Sequence, residues 1–315
     1  MNCPKCQSAR TKKFGRYGKR RIQRYRCLDC KATFSERQPK PLGTHTIGVE
    51  KATQIISMMV EGVSLRAIAR LTDTDLNTIM SLLLTVGKKC RTLFDLRVRN
   101  VRPRFTEFDE IWCFVHTKER HLNAGDPAEW GDAYTWTAID AQTKLLISYH
   151  IGKRDAESAN TFIGDYNSRV IGRHQVTSDG LRSFIDAIET HFGADSDFAQ
   201  LVKIYGKPDN AGPDWYGSGK IIETVPTPIS GNPDEAHIST SYVERSNLTI
   251  RMQLRRFTRL TNGFSKKLSH LKAAVTIFVA WYNFVRVHSS LRVTPAMEAG
   301  ISDHIWSVEQ LLLAA

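Results

Sequence analysis

The sequence predicts an α/β protein in which a small cysteine-bearing unit and a helical segment precede a larger core. Three observations predict it. Four of the six cysteines fall in two close pairs within the first 30 residues. Residues 47–96 carry apolar side chains at helical spacing, and strand and helix patterns alternate from about 104 to 287. The 315 residues suit two or three domains of ordinary size.

The predicted boundaries follow from these patterns. We expect the cysteine unit at 1–36, the helical segment at 47–96, the α/β core at 104–290 and a C-terminal tail at 291–315. A Gly/Pro-rich linker, Gln38–Gly43, separates the first two units. Within the core, residues 206–240 form a possible insertion.

The net charge of +12 favours an anionic partner, either nucleic acid or an anionic membrane. A membrane span needs about 20 consecutive apolar residues, and the most apolar stretches, Leu82–Val86 and Leu311–Ala315, are far shorter. The first residues lack the pattern of a secretory signal. We therefore expect a nucleic-acid partner, no membrane, and a cytoplasmic, nucleoid-associated location.

The cysteines form two Cys-x2-Cys pairs, Cys3 with Cys6 and Cys27 with Cys30, with 20 residues between the pairs. Each pair can place two thiolates on one turn, and four sulfurs can surround zinc at about 2.3 Å. The alternatives are two unrelated pairs or a redox motif. A unit this short has too small a hydrophobic core to fold without a disulfide or a bound metal, which favours structural zinc.

The stretch between the two pairs is basic and contains no acidic residue. Its cations include Lys12, Lys13, Arg16, Lys19, Arg20, Arg21, Arg24 and Arg26, interleaved with Phe14, Tyr17 and Tyr25. Binding of DNA phosphates needs such a uniformly positive surface, whereas a loop that is only solvated usually carries both positive and negative charges. We expect Lys12, Lys13, Arg16, Arg20, Arg21 and Arg24 to contact nucleic acid.

The helical segment has the rhythm of a helix-turn-helix. Ile55, Ile56, Met59 and Val60 form one apolar stripe. Ser64 can cap a second helix, and a turn at Asp73-Thr74 leads into a third. In that arrangement Asn77, Thr78 and Ser81 lie on the face that would read DNA. A helical hairpin or a dimerisation bundle would show the same periodicity.

In the core, the predicted order is β-β-β-α-β-α-β-α-α. The strands are Phe105–Val115, Tyr134–Ile139, Lys144–Ile151, His174–Ser178 and Leu201–Tyr205, and the helices run from Asp155 to about Ile171, over Leu181–Phe192, and over about 241–260 and 266–287.

Three acidic residues occupy positions suited to a metal site. Asp109 lies within the first strand, where a charge is costly unless it is compensated. Asp179 follows a strand, at the sheet edge where ligand groups gather, and Glu244 begins a helix that carries Arg251. Two divalent metals about 3.5–4 Å apart need such converging carboxylates to cleave a phosphodiester.

Plainer explanations remain open for each acid. Asp179 could belong to a turn, Glu244 could favour a helix dipole, and Asp109 could pair with an arginine. Glu107 and Glu110 compete as ligands, but strand periodicity points Glu110 away from Asp109 and makes it the poorer candidate.

Several motifs resemble those of the insertion sequence one family of bacterial transposases. They are Phe108–Trp112, Thr177–Gly180, Val243–Arg251, and Arg255–Thr261 followed by Gly263-Phe264-Ser265. The tail motif Trp281–Ala296, which contains His288, is more similar to other DDE transposases and integrases. The role of His288 stays open between a place near the active site and simple packing.

The resemblance implies a ribonuclease H-like core that works by the DDE mechanism, with a zinc ribbon and a helix-turn-helix in front of it. Asp109, Asp179 and Glu244 would hold two Mg²⁺ or Mn²⁺ ions, and Arg251 and Arg255 would contact DNA. Water would attack the transposon end, and the freed 3′-hydroxyl would attack target DNA. The partners would be double-stranded DNA and at least a second copy of the chain. A non-cutting DNA-binding regulator derived from a transposase is the alternative, and a nuclease acting on RNA or structured DNA is a third option.

Overall fold

The computed structural model describes residues 1–18, 21–36, 41–206, 221–259 and 261–314. The chain divides into two compact units, Met1–Thr44 and His45–Ala315. The larger unit contains both the helical segment and the α/β core. In the part of the chain that the structure describes, no helix is both long and apolar enough to span a membrane.

The smaller unit is a three-stranded antiparallel sheet of β1 (Thr11–Tyr17), β2 (Ile22–Cys27) and β3 (Thr33–Ser35), with β2 in the centre. The pairing of β1 with β2 shifts register between Lys13 and Gly15. The rings of Tyr25 and Phe34 stack with centroids 5.8 Å apart. A sheet this small buries little apolar surface, so it depends on a further cross-link for stability.

Three helices open the larger unit: α1 (Val49–Val60), α2 (Leu65–Thr72) and α3 (Leu76–Arg97). The predicted cap is confirmed, because the Ser64 hydroxyl accepts a hydrogen bond from the backbone N–H of Ala67 at 3.2 Å. The helix ends at Asp73, which adopts a left-handed conformation with φ of 45°. Asp75 then caps α3, accepting from the N–H of Asn77 at 2.9 Å. The predicted apolar stripe on α1 is buried.

The core is a six-stranded mixed sheet in the order β6-β5-β4-β7-β8-β9. The strands are β4 (Phe105–Val115), β5 (Gly131–Asp140), β6 (Leu146–Gly152), β7 (His174–Ser178), β8 (Ser196–Tyr205) and β9 (Ile221–Ser230). The pairs β4–β7 and β7–β8 are parallel, and the other pairs are antiparallel. This arrangement confirms the predicted α/β class with a ribonuclease H-like core.

Helices cover both faces of this sheet. They are α4 (Ala156–Asn167), α5 (Ser183–His191), α6 (Ser241–Gln253) and α7 (Leu268–Phe284). The tail adds α8 (Pro295–Glu298) and α9 (Val308–Leu313), which contact α7. On one face Phe108 of β4 packs against Phe162 of α4 and Phe184 of α5. On the other face α6 contacts β4 and α7 contacts β6. Strand β4 therefore lies between two helical layers.

The segment 206–240 contains a strand that the sequence analysis did not predict. β9 pairs with β8 at the outer edge of the sheet and includes Pro226 and Pro228. Proline is tolerated at an edge because one side of the strand needs no backbone donor. Residues 207–220 of this segment, and 38–40 of the expected linker, lie outside the described residues.

The helical segment and the tail both pack on the core. Helix α3 crosses α7 where Gly87 meets Ala273, so closely that a Cβ at Gly87 would lie 2.6 Å from the Cβ of Ala273. In the tail, α9 contacts α1, and Lys89 of α3 donates to the carbonyl of Leu312 at 2.7 Å. Residues 45–314 thus share one continuous set of contacts.

Candidate active site and nucleic-acid interface

The carboxylates meet where strand β7 ends. Phe108 of β4 pairs with Ser178, the last residue of β7, so that Asp109 and Asp179 are the next residues on neighbouring strands. On its other side Asp109 pairs with Thr137 of β5. Strand β7 thus pairs with β4 only as far as Phe108, and from Asp109 onwards this edge of β4 is not paired with β7.

Asp109, Glu110 and Asp179 each place a carboxylate oxygen within 4.8 Å of the others. Glu110, which strand periodicity made the poorer ligand candidate, therefore lies within this group. The Glu110 side chain does leave β4 on the face opposite to that of Asp109. At Glu110, however, β7 no longer pairs with β4. Glutamate is one methylene longer than aspartate, so its carboxylate reaches Asp179 around the open edge.

Hydrogen bonds hold these carboxylates in place. Asp109 accepts at one oxygen from the backbone N–H of Glu110 at 2.9 Å, and at the other from the side-chain amide of Asn247 at 2.6 Å. Asp179 accepts from the backbone N–H of Leu181 at 3.1 Å. Glu110 accepts from Arg154 Nε at 2.7 Å. Asp109 and Glu110 lie on β4 and Asn247 on α6, whereas Asp179 lies in the turn between β7 and α5.

The electrostatics of the group favour a cation. Burial, together with the neighbouring charges of Asp179 and Glu244, raises the pKa of Asp109 to about 7. Burial, followed by the charges of Asp179 and Asp109, raises the pKa of Glu110 to about 8. Burial also raises the pKa of Asp179. Like charges held this close retain protons until a positive charge replaces them.

Glu244 lies in the first turn of α6 beside this group, at a position where its charge raises the pKa of Asp109 and Asp179. Its carboxylate forms an ion pair with Lys203 of β8 and accepts from the Thr240 hydroxyl at 2.6 Å. The side chain is 46% exposed. The structure thus brings Asp109 and Asp179 together, whereas Glu244, the third predicted ligand, is not among the carboxylates within 4.8 Å of one another in the described residues and pairs with Lys203 instead.

Glu107, a competing acid on sequence grounds, anchors the start of helix α6 in the structure. Its buried carboxylate accepts from the backbone N–H groups of Tyr242 and Val243 at 2.7 and 2.9 Å, at the start of α6. Burial raises its pKa to about 7, although these two hydrogen bonds oppose the shift. Strand periodicity puts Glu107 on the same face as Asp109, which was the available signal.

The donor set of the carboxylate group fits a hard divalent cation. Mg²⁺ and Mn²⁺ prefer oxygen ligands, and Mg²⁺ keeps several waters, so a few carboxylates are enough. The oxygens of Asp109, Glu110 and Asp179 are close enough to contact one ion. The second oxygen of Glu110 is buried and has no partner within the described ranges.

The four N-terminal cysteines also converge. Cys3 Sγ lies 3.5 Å from Cys30 Sγ, Cys6 Sγ lies 3.6 Å from Cys27 Sγ, and all four sulfurs are within 4.8 Å of one another. Tetrahedral zinc with bonds of about 2.3 Å separates its sulfurs by about 3.8 Å. The backbone N–H of Cys30 lowers the pKa of the Cys27 thiol. The geometry of the four sulfurs fits zinc.

The basic stretch lies on the β1–β2 hairpin, and its predicted DNA contacts differ in exposure. Lys12, Lys13, Arg16 and Arg21 are exposed, and Arg24 is half-buried. The Arg24 guanidinium lies 5.9 Å from the Tyr17 ring centroid, and Arg26 lies 5.7 Å from that of Phe14. Arg20, with Lys19, lies outside the described residues. Aromatic rings thus support two of the cations on this surface.

The other predicted DNA contacts lie at helix termini of the larger unit. Asn77 is exposed and Thr78 half-buried in the first turn of α3. Arg251 is half-buried near the end of α6, and Arg255 is exposed just beyond it. Each of these side chains can be reached by a large partner.

No protein-family model and no curated protein matches the chain. Among solved structures, the piggyBac transposase synaptic complex with hairpin DNA matches with a TM-score of 0.39 and 9% identity, over 88% of this chain and 71% of that chain. The Mos1 transposase paired-end complex with the left transposon end matches at 0.23 and 9%, over 86% and 82%. A pre-cleavage Mos1 transpososome matches at 0.20 and 12%, over 52% of this chain and 60% of that chain. Likeness at these scores is too low to bear on function.

Proposed function

We propose that the chain is a DDE-type DNA transposase that binds transposon ends, cleaves a phosphodiester and transfers the strand to target DNA. The gathering of Asp109 and Asp179 at the end of β7, with Glu244 beside them on α6, carries the proposal. The motifs around these three residues resemble those of the insertion sequence one family, which supports the same activity.

Each of the three acidic residues has a part in this activity. Asp109 on β4 and Asp179 just after β7 would hold divalent cations, and Glu244 would have to leave Lys203 to join them. When bound, two Mg²⁺ or Mn²⁺ ions activate the attacking oxygen and stabilise the leaving oxygen. The protein's own contribution is to hold the carboxylates on rigid elements, and Asn247 keeps Asp109 oriented through its 2.6 Å hydrogen bond.

DNA is held by the units in front of the core and by arginines beside it. In this proposal residues 1–36 form a zinc ribbon whose basic hairpin contacts phosphates through Lys12, Lys13, Arg16, Arg20, Arg21 and Arg24. Residues 47–96 form a helix-turn-helix that reads base edges through Asn77 and Thr78. Arg251 and Arg255 provide further phosphate contacts along the catalytic core, residues 104–290. Because transposition joins two ends, at least two copies of the chain assemble on DNA.

The test is a strand-transfer assay with purified protein, Mg²⁺ and DNA that carries the ends of its own element. Asp109→Asn, Asp179→Asn and Glu244→Gln should each reduce cleavage and joining to background. Glu189→Gln, an exposed charge change on α5, should leave both steps unchanged. Full activity in Asp109→Asn or Glu244→Gln would refute the mechanism. Specific, metal-independent DNA binding without nicking would indicate the non-cutting regulator instead.

A further inference from the structure

The Glu110 side chain is almost fully buried, although its ion-pair partner, Arg154, lies at the surface. Its side chain is 4% exposed, whereas that of Arg154, which pairs with it at 2.7 Å, is 45% exposed. Arg154 occupies Oε1, and Oε2 is buried without a hydrogen-bond partner in the described part of the chain. Leaving a carboxylate oxygen buried and unpaired is costly, so a role limited to holding an exposed arginine does not explain it.

The location of Glu110 supplies a reason. Its carboxylate lies within 4.8 Å of those of Asp109 and Asp179, and it arrives from the α4–α5 side of the sheet while Asp109 arrives from the α6 side. When ionised, the three carboxylates and the Arg154 guanidinium carry a net charge of −2. One divalent cation neutralises that charge.

We propose that Glu110 is a further ligand of the divalent cation held by Asp109 and Asp179, with Arg154 fixing the orientation of its carboxylate. This inference rests on the proposed function, because it concerns the same metal centre. It adds a fourth carboxylate to the three that the family resemblance implies. It also gives the centre ligands from both faces of strand β4.

The experiment measures Mn²⁺ binding to the zinc-loaded, DNA-free full chain by calorimetry and by the electron paramagnetic resonance signal of free Mn²⁺. Glu110→Gln should weaken Mn²⁺ affinity by about ten-fold or more, the lower end of what loss of a supporting group around a metal costs. Glu110→Asp keeps the charge but is one methylene too short to pass the strand edge, and it should weaken binding similarly. Arg154→Met should weaken binding less than Glu110→Gln does, because Arg154 positions the carboxylate and is not itself a ligand.

Two reference variants make the outcomes distinguishable. Asp109→Asn should lose Mn²⁺ binding, and Glu189→Gln should bind like the wild type. If Asp109→Asn loses binding while Glu110→Gln and Glu110→Asp retain it, Glu110 is not a ligand and the proposed function stands. If Glu110→Asp binds like the wild type while Glu110→Gln is weak, the effect is long-range charge and the inference is again overturned. If Asp109→Asn also binds normally, the metal centre itself is refuted.

Discussion

The carboxylate of Glu107 accepts a hydrogen bond from the backbone N–H of Val243 at 2.9 Å, which ties the central strand β4 to the first turn of helix α6. The N–H of Tyr242 donates to the same oxygen at 2.7 Å. The free N–H groups at a helix start favour an anion there. Glu244 lies one residue after Val243, so this contact positions it relative to Asp109.

Glu107→Leu should therefore destabilise the protein. The buried N–H of Val243 and the partly buried N–H of Tyr242 would lose their acceptor, at a cost of about 1–3 kcal/mol for an unsatisfied buried group. Urea unfolding measures the free energy, and amide hydrogen exchange at the start of α6 should speed up locally. Glu107→Gln retains an acceptor oxygen of the same reach and should lose much less. Equal stability of Glu107→Leu and the wild type would show that the anchor is unimportant.

Lys203 forms an ion pair with Glu244, so in the proposed metal site it would compete with the metal for this carboxylate. Lys203→Met should tighten Mn²⁺ binding by up to about fivefold, which corresponds to the roughly 1 kcal/mol that a part-exposed pair is worth. Calorimetry on the full chain measures it. Lys88→Met, an exposed charge change on α3, serves as the control. Weaker binding in Lys203→Met would mean that Lys203 supports the site instead of competing.

We expect one zinc ion per chain. Folding of the smaller unit should require it, whereas folding of the larger unit should not. Cys27→Ser removes one of four convergent thiolates and should release zinc, because structural zinc supplies the folding energy of such units. Elemental analysis measures the ion, and limited proteolysis should then cut within residues 1–44 while 45–314 persists. Cys90→Ala changes a buried cysteine of α3 and should keep its zinc. A folded, metal-free N-terminal unit would contradict the assignment.

The basic hairpin and helix α3 should affect DNA binding differently. Arg16→Ala removes an exposed cation of β1 and should reduce the slope of log affinity against log salt by about 1, equally on all sequences. Asn77→Ala should leave that slope unchanged and reduce discrimination between sites, by about 1–3 kcal/mol for a base contact. Salt titrations on specific and unrelated duplexes measure both. Identical behaviour of the two variants would contradict the division of roles.

His174 should make the protein sensitive to mild acid. It is buried on β7, and burial lowers its pKa below 6.5 although its hydrogen bond to the Gly172 carbonyl opposes the shift. The unfolded chain takes up a proton near pH 6.5 that the folded protein resists, so stability is full above that pH and falls as pH decreases below it. Melting temperatures at pH 7.5 and 5.5 should differ less in His174→Asn than in the wild type. An equal difference would exclude His174 as the cause.

Much of the local structure was predictable from neighbouring residues. The strands Phe105–Val115 and His174–Ser178 have the predicted bounds, because alternating apolar side chains identify a strand locally. The cap at Ser64 is equally local, since a hydroxyl and a backbone N–H three residues later need no other element. The cysteine spacing likewise anticipated four sulfurs that do converge.

The composition of the candidate site depended on the tertiary structure. Periodicity correctly assigned Glu110 to the face opposite Asp109, but its approach to Asp179 depends on where the neighbouring strand ends. The anchor between Glu107 and Val243 joins residues far apart in sequence, and strand β9 exists only because the edge of β8 is available for pairing. Residue order encodes local conformation and side-chain chemistry. The distance between two distant carboxylates is decided by which strands pair and where they stop, and that follows from packing of the whole core.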